Sequence, residues 1–254
     1  MTPGELESTL KWFKREKILG PDGWTIEFYI TFYDLLNNDL LRVVEEGRVS
    51  GSLYNAINST FIAFIPKLDS PSSFDDYCPI SLCHVLYKII SKIIVNRLRP
   101  ILSRNIAPQQ FAFLEHRQIH EAIGSAQEAF HTIWTKHLKN IILKIDLAKA
   151  FDSVSWLYIK MLLIHLGFPM NLITWIMACI STPTFTVLIN GSASQFFHSK
   201  RGLRQGCPLS PILFLIVMDG LSRLIASAKI NGDFSGLKIL MNASSPIFYL
   251  WMMS

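Results

Sequence analysis

The residues best suited to chemistry lie in one short stretch, Ile141-Ile-Leu-Lys-Ile-Asp146-Leu-Ala-Lys-Ala-Phe151-Asp152-Ser-Val154. An apolar run rich in isoleucine ends on a carboxylate, and an aromatic follows five residues later. A charge at the end of a buried strand needs a partner, because an unpaired buried charge is costly. A metal ion is one such partner, and hard Mg²⁺ takes carboxylate oxygens together with substrate phosphates. What Asp146 works with is the question posed by the rest of the chain.

The elements that must position it follow from hydrophobic spacing. Residues 3–17 read as a short amphipathic helix and Gly20-Pro-Asp-Gly23 as a turn. Residues 25–44 are apolar at helical spacing, and Thr60–Pro66 reads as a strand leading to Lys67. Residues 68–79 read as a loop. Residues 81–103 form the clearest helix, with Leu82, Val85, Leu86, Ile89, Ile90, Ile93 and Ile94 on one face and Lys88, Lys92 and Arg99 towards the other. Further helices are expected over 118–137, 153–166 (closed by Gly167), 171–181 and 208–229. Phe185–Ile189, Asn190-Gly191 and 194–198 read as a β-hairpin, since Asn-Gly suits a tight primed turn. Helices on one face of a small antiparallel sheet, an α+β fold, are the expected architecture.

Composition narrows the class. Half of the 254 residues are hydrophobic, enough for a substantial core, and the net charge of +5 is a mild bias towards polyanions. Cys78, Cys83, Cys179 and Cys207 show neither a C-x-x-C pair nor zinc spacing, which fits a reducing compartment and an intracellular protein. The opening residues are too polar for a signal peptide. The apolar run 208–218 is too short to cross a bilayer and stops at Asp219. No membrane partner is expected.

The motifs form an ordered series: GPDG, FIPK, PISL, YKIISK, NRL, QQFAF, RQI, KIDLAKAFDSV, the hairpin and GLRQGCPLSP. In this order and spacing they resemble the reverse transcriptases of non-LTR (LINE-type) retrotransposons, from Gly20 to about Leu240. The resemblance implies a right-hand polymerase: residues 1–140 as a fingers-like region with an N-terminal helical extension, and 141–240 as a partial palm. The thumb, and the N-terminal endonuclease of full-length elements, are expected to be absent. It also implies RNA template, DNA primer and dNTP as partners. Its chemistry is two-metal nucleotidyl transfer, with ions held about 3.5–4 Å apart by clustered carboxylates.

Roles carry over residue by residue. Asp146 matches the first metal-binding Asp, and the Leu147 carbonyl would share its Mg²⁺. Phe151 matches the aromatic gate against the incoming sugar, although core packing explains an aromatic there equally well. Asp152 reads as the N-cap of the following helix. Gln205 and Gly206 match the loop against the nascent pair, where glycine allows close backbone approach. Lys67 matches a lysine that meets the triphosphate; by residue type alone it is a solvated loop lysine. Lys88, Lys92, Arg97, Lys200, Arg201 and Arg204 are candidate nucleic-acid contacts, with Arg99 beside them.

Three departures matter. Cys78 stands before Pro79-Ile-Ser81 where the family usually has an arginine, and it supplies neither charge nor bidentate fork for a triphosphate. A single base change, CGY to TGY, accounts for it. Glu115-His116 replaces a pair that usually ends in glycine. Most important, the family's second carboxylate box, F-[AV]-D-D, should follow Leu237-Lys-Ile239 closely, yet no Asp or Glu occurs after Asp233.

The genetic code suggests why. Residues 245–254, SPIFYLWMMS, back-translate, with the TTR choice for Leu250, to TCN CCN ATH TTY TAY TTR TGG ATG ATG and a serine codon. From the third base of the Ser245 codon the same bases read NCC NAT HTT YTA YTT RTG GAT GAT, which can encode THLLFVDD. The two GAT codons are forced by Trp251-Met-Met253. We infer a frameshift or misplaced splice junction near Asn242 or Ala243, which makes 241–254 an out-of-frame tail. On this reading the chain is a truncated polymerase fragment, inactive by itself and poorly soluble because its sheet keeps an unpaired edge. Two alternatives are a residual RNA-binding module and an unexpressed pseudogene product.

Overall fold

The computed structural model describes residues 1–13, 20–108, 110–114, 117–138, 145 and 147–233. Asp146, most of the strand expected before it, Glu115-His116, and the sequence after Asp233 lie outside this set.

The helices start where capping side chains occur. Helix α1 (Pro3–Trp12) begins with the Thr2 hydroxyl accepting from the Glu5 N–H, and α2 (Ile26–Thr31) with Thr25 accepting from Phe28. Each cap satisfies an N–H that the helix itself leaves unpaired. Helix α3 (Tyr33–Ser50) ends at Gly51, whose φ of +62° is left-handed. The one helix expected over 25–44 is therefore two, broken at Phe32. A short α4 (Asn55–Asn58) leads into strand β1 (Thr60–Pro66), which has the expected bounds.

Strand β2 (Tyr77–Cys83) is a correction: loop and helix were expected there. It pairs antiparallel with β1 from Thr60↔Cys83 to Pro66↔Tyr77. Pro79 argues against a strand in sequence, but β2 forms the sheet edge, where proline is tolerated. Helix α5 (Val85–Asn105) follows, then α6 (Ile119–Thr135), α7 (Ala150–Ser153), α8 (Trp156–His165) and α9 (Met170–Ser181). The hairpin region forms β3 (Thr184–Ile189), β4 (Ser192–Ala193) and β5 (Phe197–His198), and α10 (Leu209–Ile230) closes the described chain.

The sheet runs β2-β1-β3-β4, with β5 also on β3. It is mixed rather than antiparallel, because β1 and β3 lie parallel in the register Thr60↔Phe185. A parallel pair needs a long crossover, and everything from β2 to α9 supplies it. Gly20 fits the GPDG turn against the β2–α5 junction: a Cβ there would lie 2.6 Å from the Cys83 carbonyl oxygen. Asp22 of the same turn meets His84 Nδ1 at 3.1 Å.

The core centres on α5 and α10. Ile89, Ile90, Ile93, Ile94, Leu98, Leu209 and Leu213 are all fully buried. Helix α10 is long and apolar enough to cross a membrane by length and composition. It instead packs on α5 and α8 and carries a buried carboxylate, Asp219. That carboxylate accepts from Ala107 N–H at 2.8 Å and Arg223 Nε at 2.6 Å. Arg117, in the RQI motif, donates to the carbonyls of Ser103, Ile106, Ala107 and Gln110, so one guanidinium ties off the end of α5.

Candidate nucleotide and nucleic-acid site

Residues 202–207 connect the distant motifs. The Gly202 N–H donates to Val154 O at 2.8 Å and the Leu203 N–H to Phe151 O at 2.9 Å. Gly202 has φ +95°, and a Cβ there would lie 3.0 Å from Asp152 O. Trp156 Nε1 donates to Gly202 O at 2.7 Å. The segment just after Asp146 is thus fastened by backbone bonds to the GLRQGC loop. Phe151 is half-buried and stacks on Phe214 of α10, with centroids 5.0 Å apart.

The far side of this loop meets β2. The Ser81 N–H, on the open edge of the sheet, donates to Gln205 O at 2.9 Å. Gln205 Nε2 donates to Cys78 Sγ at 3.3 Å. Gly206 has φ +96° and would place a Cβ 3.2 Å from Ser81 O, so both its conformation and its surroundings favour glycine. A cleft of about 240 Å³ opens here, lined by Ser81, Asp152, Phe197, Arg201 and Gln205 among others. Cys78 and Ser81 of β2 thus meet Gln205 and Gly206, which lie far away in sequence.

Lys67 lies at the exposed tip beyond β1, with its Nζ 2.9 Å from Asp75 O. Lys149 Nζ reaches Asp75 Oδ1 at 3.1 Å. Both lysines thus meet one residue of the β1–β2 loop. Leu147 is exposed, while Asp146 lies outside the described residues. Asp152 does not cap α8: it sits inside α7, and Ser155 takes the capping position with its Oγ accepting from Tyr158 N–H. Among the described residues no group of three His, Cys, Asp or Glu side chains converges to hold a metal.

The basic residues separate into distinct environments. Lys92 is 1% exposed, and its Nζ sits 2.9 Å from the centre of the Trp12 ring. It was expected on a solvent-facing side, but α5 is covered all round at that level, so its charge is turned onto an aromatic face. Arg97 holds Glu5 through two bonds, Nε–Oε1 at 2.7 Å and Nη2–Oε2 at 2.9 Å. Arg97 in turn holds the Glu5 carboxyl below its usual range. Lys88 is half-buried near the start of α5.

Arg204 is buried as well. Its guanidinium donates to Thr60 Oγ1 and Asn58 Oδ1, both at 2.9 Å, to Cys179 O at 2.6 Å and to Asn58 O at 3.4 Å. It also lies 3.7 Å from the centre of the Tyr87 ring. Burial pushes the Cys83 and Cys179 thiols and the Tyr87 phenol up, so the groups around this cation stay neutral. Arg204 therefore ties the start of the GLRQGC loop to β1 and α9 instead of facing a polyanion. Lys200 and Arg201 remain exposed, and Arg201 lines the cleft. The buried role of Arg204 was not legible in sequence, because its partners Asn58 and Cys179 carry no motif.

Comparison with known proteins gives the family. The sequence pattern described as reverse transcriptase (RNA-dependent DNA polymerase) matches residues 65–241. The chain is 30% identical over 219 residues, 86% of its length, to an uncharacterized protein of transposon TX1 from Xenopus laevis. It is 31% identical over 214 residues, 82% of its length, to a Pol polyprotein of the retrotransposable element R2DM of Drosophila melanogaster. It is 27% identical over 202 residues, 72% of its length, to the RNA-directed DNA polymerase of the mobile element jockey from the same fly. It spans only 17%, 19% and 22% of these three relatives' lengths.

Proposed function

Because the chain belongs to the reverse transcriptase family, with relatives in non-LTR retrotransposons, we propose that it is a fingers and partial-palm fragment of an RNA-directed DNA polymerase, inactive as this polypeptide. Residues 1–140 correspond to fingers and 141–240 to palm. The observation that carries the reading is the cleft where the GLRQGC loop, β2 and the end of the DLAKAFD segment meet. RNA template, DNA primer and dNTP are its partners on this reading.

The family uses divalent metal, and Asp146 with the Leu147 carbonyl would hold one Mg²⁺. The described residues do not complete such a site. Asp219 is already engaged by Arg223 and the Ala107 N–H, and no carboxylate follows Asp233. The match to the family pattern stops at residue 241, beside the inferred frame break at Asn242 or Ala243. That coincidence supports the frame reading. Cys78 further weakens the triphosphate contact, since Gln205 faces a thiol where the family offers a guanidinium.

Primer extension with Mg²⁺ on an RNA template tests the reading of inactivity, and the expected result is no incorporation. Clear incorporation would sink it. Sequencing the encoding nucleic acid across the codon for Asn242 tests the frame. The shifted frame should read through Asp-Asp into further palm; a stop codon there would end the idea. A second reading, a residual RNA-binding module, is favoured by one observation: no Asp or Glu occurs between Asp152 and Asp219, whereas the exposed Lys160, Lys200 and Arg201 do. Binding that weakens with salt is its signature.

A further inference from the structure

Phe197 has no assigned role, yet it lines the cleft and stacks on a buried ring. It lies in β5, directly opposite Phe185 of β3. The two rings stack, with centroids 5.8 Å apart and planes at 27°. Phe185 is buried at 7% exposure, while Phe197 is 43% exposed. Here a buried ring backs an exposed one, so the exposed ring is held in a fixed orientation.

What surrounds the ring points to a ligand class. Phe197 lines the cleft together with Ser199, Arg201 and Gln205. Arg201 is exposed, and Lys200 beside it also faces solvent. Among the described residues Asp152 is the one carboxylate lining the cleft, and none lies between it and Asp219 in sequence. A flat apolar face next to cations suits a polyanion that carries flat rings. Aromatic side chains with adjacent basic residues are how proteins hold single strands without reading their sequence.

We propose that Phe197 is a stacking platform for one base of a single-stranded nucleic acid, with Arg201 and Lys200 on the adjoining phosphates. The proposal rests on the polymerase reading for the kind of ligand, and it adds the hairpin as a contact surface. Stacking continues the Phe185–Phe197 pile by one ring. Gln205 lines the same cleft.

The test is fluorescence anisotropy of a labelled oligouridylate and the matching oligothymidylate with the whole chain at low salt. Phe197→Leu keeps apolar contact with Phe185 but removes the π-face, and Phe197→Trp keeps the π-face. Stacking strengths predict that Phe197→Leu weakens binding about 5- to 150-fold. Phe197→Trp should bind as the parent does and show fluorescence quenching. Trp134→Ala, which removes an 83% exposed ring on α6, should change nothing. Equal losses on both oligomers assign the platform to single strands generally; a loss on oligouridylate alone assigns it to RNA. Phe197→Leu binding within about twofold of the parent, with salt-dependent binding intact, overturns the platform and leaves the RNA-binding reading standing. Absence of salt-dependent binding by the parent overturns both, without touching family membership.

Discussion

Helix α5 and the segment 198–204 both carry several basic residues, and the structure treats them differently. In α5 two cations, Lys92 and Arg97, are absorbed into the fold. Lys92 lies on Trp12 and Arg97 grips Glu5, so both tie α5 to α1 and its immediate surroundings. In the second region, Lys200 and Arg201 stay in water while Arg204, three residues on, is sealed behind β1. A basic side chain can therefore be a solvated contact or an internal clamp within one short loop. What separates them is the supply of acceptors. Arg204 meets two side-chain oxygens and two carbonyls at its position; Arg201 meets an open cleft.

The largest effect that would break this contrast is expected at Arg204. Arg204→Met removes the donor for Asn58, Thr60 and Cys179 and leaves those acceptors buried. Each such group costs about 1–3 kcal/mol, so urea denaturation should show a loss of at least about 3 kcal/mol. If Arg204→Met unfolded at the parent midpoint but bound RNA poorly, the clamp assignment would be wrong.

Gly206→Ala comes next. It forces a side chain into φ +96° against the Ser81 carbonyl, with a strain of about 1–3 kcal/mol. The local readout is Cys78, whose thiol should react faster with a labelling reagent once Gln205 is displaced. Unchanged labelling would show that the loop position does not depend on the glycine.

Lys92→Met sharpens the comparison directly. It removes a buried cation–π contact worth up to about 2 kcal/mol, and it should leave RNA binding unaltered. Lys200→Ala and Arg201→Ala should do the opposite. Their stability should stay within about 0.5 kcal/mol of the parent, while each reduces the slope of log K against log salt by about 1. The same salt slope in all three variants would erase the distinction between clamp and contact.

The smallest effect is pH-dependent. Arg97 holds the Glu5 carboxyl below its ordinary value. Its ion pair therefore contributes stability that is present above the ordinary carboxylate range and is lost as pH falls through the lowered value. Glu5→Gln should remove about 0.2–1 kcal/mol near neutral pH and flatten the acid limb of a thermal-melt series. An unaltered acid limb would assign that limb to other carboxylates.

The places where sequence reasoning fell short share a cause. Strand β2 was hidden because Pro79 speaks against a strand interior, and only the edge position in the sheet makes it acceptable. The β1–β3 parallel pairing was hidden because its partners are separated by the whole span from β2 to α9. Asp152 looked like a cap because it precedes a helix, yet Ser155 was placed to do that work. Helix α5, by contrast, was legible from its isoleucine spacing, though its face was not: neighbours cover Lys92 as well as Ile89.

The sequence by itself determined the family and the motifs, because ordered spacing of GPDG, DLAKAFD and GLRQGCPLSP survives without coordinates. It also carries no Asp or Glu after Asp233, which is the observation behind the proposed frame break. Only the tertiary structure decided which cations are free for a ligand, that Gln205 faces Cys78, and that Phe197 is an exposed ring on a buried one. The physical reason is that residue type specifies what a side chain can bond. Which acceptors and rings arrive beside it depends on how segments pair and pack, often far apart in sequence, as Asn58 does with Arg204.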